Sequence, residues 1–340
     1  MAIVGHFENL VEAQKLVQSE LLQGVVQETY EEGQLLQRLP VTTINSQSLV
    51  YNRESTLPDA AFYDIHEQLP WMADVDFTQV TASLKIVARQ DILDKFMLKT
   101  YRNPNDYRSI ILSTLRKGVM RTIEDKIIYG DVDNDAAEFD GIGHLLPADV
   151  AGGETWATAN PQAYDMGGAA APVTLKVMRE LIDAVRPAPS ILLMTRTMRN
   201  TLSAVAFEKG IVLANANPRI ALSSDNSLGQ RVDYFDGVPI VISDYLLDET
   251  DNTTDADSGN DSGISSIWAL RFGFITDGGL TLLTGGDTGG VEFFNMVELD
   301  NLEDYDASGI RLVAYCALAQ GSTKATAVIN SIDEDGVIVG

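Results

Sequence analysis

Apolar positions near the start of the chain recur at helical spacing. Between residues 6 and 38, Phe, Leu and Val return on one helical face with Glu, Gln and Lys between them, and Pro40 ends the pattern. The pattern predicts an N-terminal helix with a single apolar stripe. Two interpretations stay open: the helix packs on its own chain, or it is an arm that docks on a neighbouring subunit.

The next segment changes to the period of a β-strand. Residues 80–89 largely alternate between apolar and polar side chains, and a shorter run of β-forming residues covers 49–51. The stretch 52–76 between them is rich in turn formers and charges, so the segment predicts an extended β-hairpin. An isolated two-stranded ribbon is marginally stable in water and needs another surface to lie on. In an assembly that surface can be the next subunit.

The clearest helix is predicted over residues 104–129. Asn103 suits the N-cap, Pro104 suits the first helical position, and Gly130 suits the stop. One face is apolar and is formed by Tyr107, Ile111, Leu112, Leu115, Val119, Ile123 and Ile127. At about 1.5 Å per residue this helix is a rod of roughly 39 Å, more than twice the usual length, which indicates a structural spine.

The second half of the chain alternates between helical and strand-like segments. We predict helices over 173–185 and 197–207, and strands over 191–195, 238–243, 267–272 and 280–283. A polar, acidic loop is predicted over 248–263. The last two strands, over 309–318 and 324–332, are predicted to form a pair that closes the fold.

Charge is distributed unevenly along the 340 residues. The formal net charge is −25; residues 1–130 carry 13 Lys and Arg against 17 Asp and Glu, and residues 131–340 carry 11 against 32. This acidity argues against wholesale binding to nucleic acid or anionic membranes, because such binding requires basic patches. The sequence shows neither a signal-peptide pattern nor a run near the roughly 18 apolar residues of a membrane span. We therefore expect a soluble intracellular chain with no membrane partner.

The candidate metal-binding motifs in the sequence lack residues that such sites require. His6, His66 and His144 lack the close spacing of zinc ligands. The acidic loop that begins at Asp251 has neither the glycine at position six nor the glutamate at position twelve of a calcium-binding loop. The single cysteine, Cys316, lies in an apolar run and is predicted to be a buried core thiol. We predict no catalytic, cofactor-binding or metal-binding residues.

Three segments, in this order, resemble a known family. The first is the strand that leads towards a short helix over 85–94. The second is the end of the long helix with the loop behind it, over 127–142. The third is the Phe-Asp-Gly-Val-Pro run and the strand that follows it, over 235–244. Together they resemble the major capsid proteins of tailed bacteriophages with the HK97-type fold, and the resemblance covers about residues 1–335.

The resemblance implies an α+β fold of the HK97 type. The implied map is an N-terminal arm over 1–40, an extended β-hairpin loop over 41–80, a peripheral domain over 81–170 and 311–340 that contains the spine helix 104–129, and an axial α/β domain over 171–310. The implied function is a structural subunit of an icosahedral virion capsid. Such subunits assemble into hexamers and pentamers in the host cytoplasm and enclose double-stranded DNA without sequence-specific binding. An encapsulin-like nanocompartment shell, which shares the fold, is the alternative. A soluble α/β enzyme would need a convergent polar site, and the sequence shows none.

The resemblance also implies partners. The chain would contact copies of itself, a portal and a separate scaffolding protein, and it would leave room for a decoration protein. We expect intersubunit contacts from Phe7, Leu10, Arg53, Glu54, Phe62 and Trp71. Some family members cross-link their subunits through a lysine in the extended loop. No lysine lies between Lys15 and Lys85 here, and the guanidinium of Arg53 cannot replace that nucleophile. The shell is therefore predicted to be non-covalent.

Overall fold

The computed structural model describes residues 35–54, 60, 62–67, 77–100, 107–146, 155–156, 162–166, 172–208, 220–222, 232–246, 264–286, 294–300, 302 and 306–333. The described α-helices are α1 (Leu35–Arg38), α2 (Lys95–Thr100), α3 (Tyr107–Tyr129), α4 (Ile142–Leu145), α5 (Leu175–Ala184) and α6 (Arg196–Glu208). The predicted arm helix before residue 35, the predicted helix start at 103–106 and the acidic loop 248–263 lie outside the described residues.

Fifteen strands are described, and they form two large sheets and one two-stranded ribbon. They are β1 (Val41–Ile44), β2 (Ser48–Glu54), β3 (Phe77–Ser83), β4 (Lys85–Asp94), β5 (Thr155–Trp156), β6 (Ala163–Asp165), β7 (Ile191–Met194), β8 (Ile220–Leu222), β9 (Val232–Phe235), β10 (Val238–Ile242), β11 (Ile264–Leu270), β12 (Leu280–Gly285), β13 (Asn295–Leu299), β14 (Ala307–Gln320) and β15 (Thr326–Asp333).

The eight-stranded sheet has the order β5-β6-β15-β11-β7-β10-β9-β8. Its strand β7 is buried along its whole length and pairs in parallel with β10 and antiparallel with β11. Because side chains of a strand alternate between faces, Leu193 joins the main core and Leu192 joins a second core that includes Met178 and Leu181 of α5. The α/β alternation predicted for this half of the chain is confirmed.

The five-stranded sheet is organised around the long strand β14. One edge of β14 pairs with β4, and the other edge pairs first with β13 and then with β12. Strand β1 adds to β12 in parallel. Cys316 lies in β14 and is fully buried, which confirms the predicted core thiol; burial raises the pKa of this thiol to about 12.

The long helix α3, called the spine helix below, covers one face of this smaller sheet. Five of its predicted apolar positions are buried: Ile111 and Leu115 pack with Leu93 and Ile310, and Val119, Ile123 and Ile127 join the main core. Leu112 is partly buried against the first of these groups. The helix ends at Tyr129, one residue before Gly130, as the sequence predicts. Among the described residues no helix is long and apolar enough to cross a membrane.

Two predictions about strand pairing are wrong. The alternation over 80–89 belongs to two strands, because Leu84 separates β3, which pairs with β2, from β4, which pairs with β14. The final strands β14 and β15 exist as predicted but do not pair with each other; β14 lies in the five-stranded sheet and β15 in the eight-stranded one. Periodicity reports which side chains are buried, and it carries no information about which strand is the partner.

Candidate functional site

The ribbon of β2 and β3, called the hairpin below, has one face on the protein and one in solvent. Its register runs from Ser48 opposite Ser83 to Glu54 opposite Phe77. On the inner face Leu49 and Tyr51 pack against the main core. The outer face is exposed throughout and consists of Val50, Asn52, Glu54, Phe77, Gln79 and Thr81. The predicted hairpin is confirmed, and half of it offers a surface for another molecule.

Exposed apolar side chains occur in what we call the far end of the hairpin, defined as Phe77 and residues 62–67 of the segment that joins β2 to β3. Phe62 has the full exposure of a side chain in an extended peptide, Ile65 is 84% exposed, and Phe77 is 67% exposed. Several large apolar side chains exposed in one segment of a chain are typical of a protein–protein contact site. Of the six predicted contact residues, the structure places Glu54 and Phe62 in solvent, while Phe7, Leu10 and Trp71 lie outside the described residues.

Arg53, the remaining predicted contact residue, is half-buried against its own chain. Its Nε donates to the carbonyl of Gly321 at 3.0 Å, and its Nη2 donates to the carbonyl of Gln320 and to the Tyr51 hydroxyl. Sequence reasoning missed this contact because the partners are more than 260 residues away. An intersubunit role for Arg53 stays a prediction.

A second apolar surface lies on the face of the five-stranded sheet opposite the spine helix. Tyr315 is directly opposite Ile86 of β4, so the two side chains share this face. Val297 and Leu299 of β13 lie further along β14, opposite Arg311 and Gly309. Ile86, Val297, Leu299 and Tyr315 are all exposed and form what we call the open sheet face. This face was not predicted from the sequence, although Arg311 and Tyr315 interrupt the apolar run of β14.

Strand β13 lies at the margin of that face and is exposed at every residue. The spine helix holds it in place from the other side. Arg108 forms an ion pair with Glu298, and the Arg116 guanidinium lies 5.9 Å from the ring centroid of Phe294. Within the described strands β13 pairs only with β14, which leaves its outer edge available for another chain.

The N-terminal segment is anchored in the core of the subunit at residues 35–39. Leu35 and Leu39 are buried in the main core, and the Leu35 N–H donates to Glu124 Oε1 of the spine helix at 2.9 Å. Glu124 is itself buried, and this burial raises the pKa of its carboxyl, while the backbone N–H groups of Leu35 and Leu36 lower it. Any arm formed by the preceding residues therefore starts from a fixed point on the spine helix.

Replacing Glu124 by Gln should stabilise the subunit at neutral pH. The raised folded-state pKa means that the stability linked to this carboxyl is present below its unfolded-state pKa and is lost as the pH rises through the folded-state pKa. Glutamine keeps an acceptor for Leu35 N–H without the buried charge. Urea unfolding of Glu124→Gln should show a gain at pH 7 that disappears near pH 4, the ordinary range of a carboxyl group. A variant less stable than wild type at pH 7 would contradict this.

His144 lies among three carboxylates, which its sequence position did not indicate. Its Nδ1 is 3.0 Å from Asp131 Oδ1 and 3.5 Å from Asp140 Oδ1, and its Nε2 is 3.5 Å from Asp133 Oδ2. Asp131, Asp133 and His144 could hold a metal ion, because their donor atoms lie within 4.8 Å of one another. However, Asp133 is 88% exposed and His144 already lies at hydrogen-bond distance from Asp131. The absence of a metal ligand stays a prediction.

Comparison with known proteins identifies the architecture. Residues 13–258 match the phage capsid family. The chain belongs to this family. No curated protein matches the sequence. Similar solved structures include the holo-SrpI encapsulin complex from Synechococcus elongatus PCC 7942, at 16% identity over 97% of this chain and 98% of that chain with a TM-score of 0.67. The capsid of a native GTA particle has 16% identity over 93% and 98%, with a TM-score of 0.62. Mycobacterium phage Bobi has 14% identity over 94% and 97%, with a TM-score of 0.57.

The predicted HK97-type α+β fold is confirmed for this phage capsid protein. At these identities the solved structures show the fold alone, whereas the family match indicates a structural subunit of a capsid shell rather than an enzyme. The outer face and far end of the hairpin, the open sheet face and the β13 edge are then the candidate assembly surfaces of the capsid subunit.

Proposed function

We propose that the chain assembles into a closed icosahedral shell of hexamers and pentamers that encloses double-stranded DNA. The observation that carries the proposal is the hairpin, whose outer face and apolar far end project Phe62, Ile65 and Phe77 into solvent in a protein of the capsid family. Burial of such groups contributes about 25 cal/mol per Å². Contacts between copies bury them, and head-to-tail contacts of this kind close into rings.

The open sheet face is the surface on which we place the hairpin of the next copy. Both surfaces carry exposed apolar side chains beside polar ones, and Glu54 at the hairpin end and Arg311 on the sheet face supply opposite charges. Phe7, Leu10, Phe62 and Trp71 are the apolar contact residues that we propose for the arm and the loop.

The parts of the subunit are proposed to act as follows. The arm (1–40) and loop (41–80) join neighbouring copies, the peripheral domain (81–170 and 311–340) forms the shell wall, and the axial domain (171–310) surrounds the hexamer and pentamer centres. A portal, a separate scaffolding protein and, on the outer surface, a decoration protein are the proposed partners. Assembly takes place in the host cytoplasm, and the product is the virion capsid.

An encapsulin-like nanocompartment is the second candidate. The similarity to the SrpI encapsulin complex, which covers 97% of this chain, favours it as much as the capsid similarities favour a virion. The contents separate the two functions: a virion shell protects DNA from nuclease, and a nanocompartment encloses a protein cargo.

Assembled particles boiled in detergent should release a single 37.0 kDa chain. The reason is chemical, because the loop segment between Lys15 and Lys85 contains no lysine amine for an isopeptide bond. Denaturing gel electrophoresis of purified particles measures this directly, with particles treated with an amine-reactive cross-linker as the positive control. A ladder of covalent multimers in the untreated sample would contradict a non-covalent shell.

A further inference from the structure

The base of the hairpin is tied to the segment that joins the two sheets. Residues 320–325, called the corner below, connect β14 of the five-stranded sheet to β15 of the eight-stranded sheet. The Tyr51 hydroxyl donates to the Gln320 carbonyl at 2.6 Å. Arg53 donates to the same carbonyl and, through Nε, to the Gly321 carbonyl at 3.0 Å. Two hairpin side chains therefore converge on two consecutive carbonyls of the corner.

The two side chains also support each other. The Arg53 guanidinium carbon lies 5.6 Å from the centroid of the Tyr51 ring, and its Nη2 donates to the Tyr51 hydroxyl at 3.3 Å. A planar guanidinium presents several N–H donors in a fixed fork, so it can reach adjacent carbonyls at once, whereas a lysine ammonium is a point charge on a flexible stem. Hydrogen bonds from a charged donor are also stronger than neutral ones.

The corner is a rigid anchor. The Gln320 side chain is fully buried, and its Nε2 donates to the Ser322 carbonyl at 2.8 Å and to Thr326 Oγ1 at 3.0 Å. A Cβ on Gly321 would lie 2.4 Å from the carbonyl oxygen of Ile275, so the backbone is packed as closely as glycine allows. The partner of Arg53 and Tyr51 is therefore held in one position.

Besides the packing of Leu49 and Tyr51 on the main core, the hairpin is joined to the body of the subunit through a short neck. The chain enters it after residues 45–47 and leaves it at Leu84, and the Leu84 N–H donates to the Gln47 carbonyl at 2.9 Å across this neck. Arg53 lies five residues beyond Ser48, roughly 17 Å along the ribbon at about 3.3 Å per residue. A contact at that distance from the neck restrains the direction of the whole ribbon.

We propose that Arg53 and Tyr51 are positioning residues that latch the hairpin to the corner and so set the direction in which its far end meets the next copy. The inference rests on the proposed shell function for its consequence, but the latch is a property of the single subunit. It also differs from the intersubunit contact expected for Arg53, because the guanidinium is engaged within its own chain before any partner arrives.

The test compares Arg53→Ala, Arg53→Lys and Tyr51→Phe with Arg89→Ala, a control that removes an exposed arginine from the neighbouring strand β4. Hydrogen–deuterium exchange of the unassembled subunit reports on the hairpin amides of β2 and β3. We expect exchange there to rise roughly tenfold or more in Arg53→Ala, by less in Arg53→Lys and Tyr51→Phe, and not at all in the control. Protection of the spine helix should stay unchanged in every variant.

The assembly of the same variants supplies the second readout. We expect electron microscopy to show fewer closed shells and more irregular ones for Arg53→Ala, with normal shells for Arg89→Ala. Unchanged hairpin exchange in Arg53→Ala would overturn the latch, and unchanged exchange with lost shells would assign Arg53 to an intersubunit contact. If Arg53→Ala fails to fold, the same exchange measurement on Tyr51→Phe and Arg53→Lys tests the latch, and unchanged hairpin exchange in both would overturn it. If the wild-type chain forms no shells, the proposed function is wrong. The exchange measurement on the unassembled subunit still tests whether Arg53 and Tyr51 hold the hairpin to the corner.

Discussion

Replacing residues 55–76 by an Asn-Gly turn should give a folded subunit that forms no closed shells. Glu54 and Phe77 are the last directly opposed pair in the described part of the hairpin, so a two-residue turn joins the strands without a change of register. The inner-face contacts of Leu49 and Tyr51 remain, and the core of the subunit keeps its stability. What is lost is the apolar far end, including Phe62 and Ile65, which the shell requires for contacts between copies. Particle yield by electron microscopy should fall to zero.

A point-variant series separates that loss from a general effect on solubility. The double variant Phe62→Ser with Ile65→Ser removes two exposed apolar side chains of the far end and should strongly reduce shell yield. The control is Phe274→Ser, which removes another exposed aromatic side chain at 55% exposure, far from the hairpin in sequence. Circular dichroism should show the same helix content in all variants. If the chain that lacks residues 55–76 still forms normal shells, the far end of the hairpin makes no contact that assembly requires.

Gly130→Ala should destabilise the subunit by about 3 kcal/mol or more, the range of severe overpacking. A Cβ at this position would lie 2.2 Å from the Phe139 carbonyl oxygen and 2.5 Å from that of Lys126. Both neighbours are backbone, so no side-chain rotation relieves the contact. The clash lies where the spine helix ends and the chain returns to Gly141, whose N–H donates to the Gly130 carbonyl at 2.7 Å. Urea unfolding of the unassembled subunit measures the loss.

Gly118→Ala is the matched control within the same helix. A Cβ there meets no atom within 4 Å, so the substitution removes only the flexibility of glycine. It should leave stability unchanged or raise it by about 0.5–1 kcal/mol. Equal effects of the two substitutions would show that Gly130 is not constrained by the close approach of the backbone.

The spine helix shows which parts of this fold the sequence predicts well. Ile111, Leu115, Val119, Ile123 and Ile127 are spaced for one helical face, and all of them are buried on that face. The strands of the second half were predicted for a similar reason, because runs of apolar residues bounded by Gly and Pro indicate buried strands. Local sequence patterns are enough to predict an element when the element is long and only one of its faces is buried.

The predictions that failed, and the surfaces that were missed, depend on contacts between distant residues. The change of partner at Leu84 leaves the alternation of the sequence almost intact, and the latch joins Arg53 to residues near the other end of the chain. Strand β13 was not predicted because it is exposed on both faces and has no buried period. The contacts proposed for Phe7, Leu10 and Trp71 stay predictions, since these residues lie outside the described part of the chain.

Electron microscopy of the purified wild-type chain, expressed with and without its neighbouring genes, tests most directly whether this chain builds a shell. We predict closed shells, or at least rings of the size of hexamers, because the described part of the subunit exposes an apolar hairpin end and an open sheet face that other copies can cover. A monodisperse monomer or dimer under every condition would contradict it.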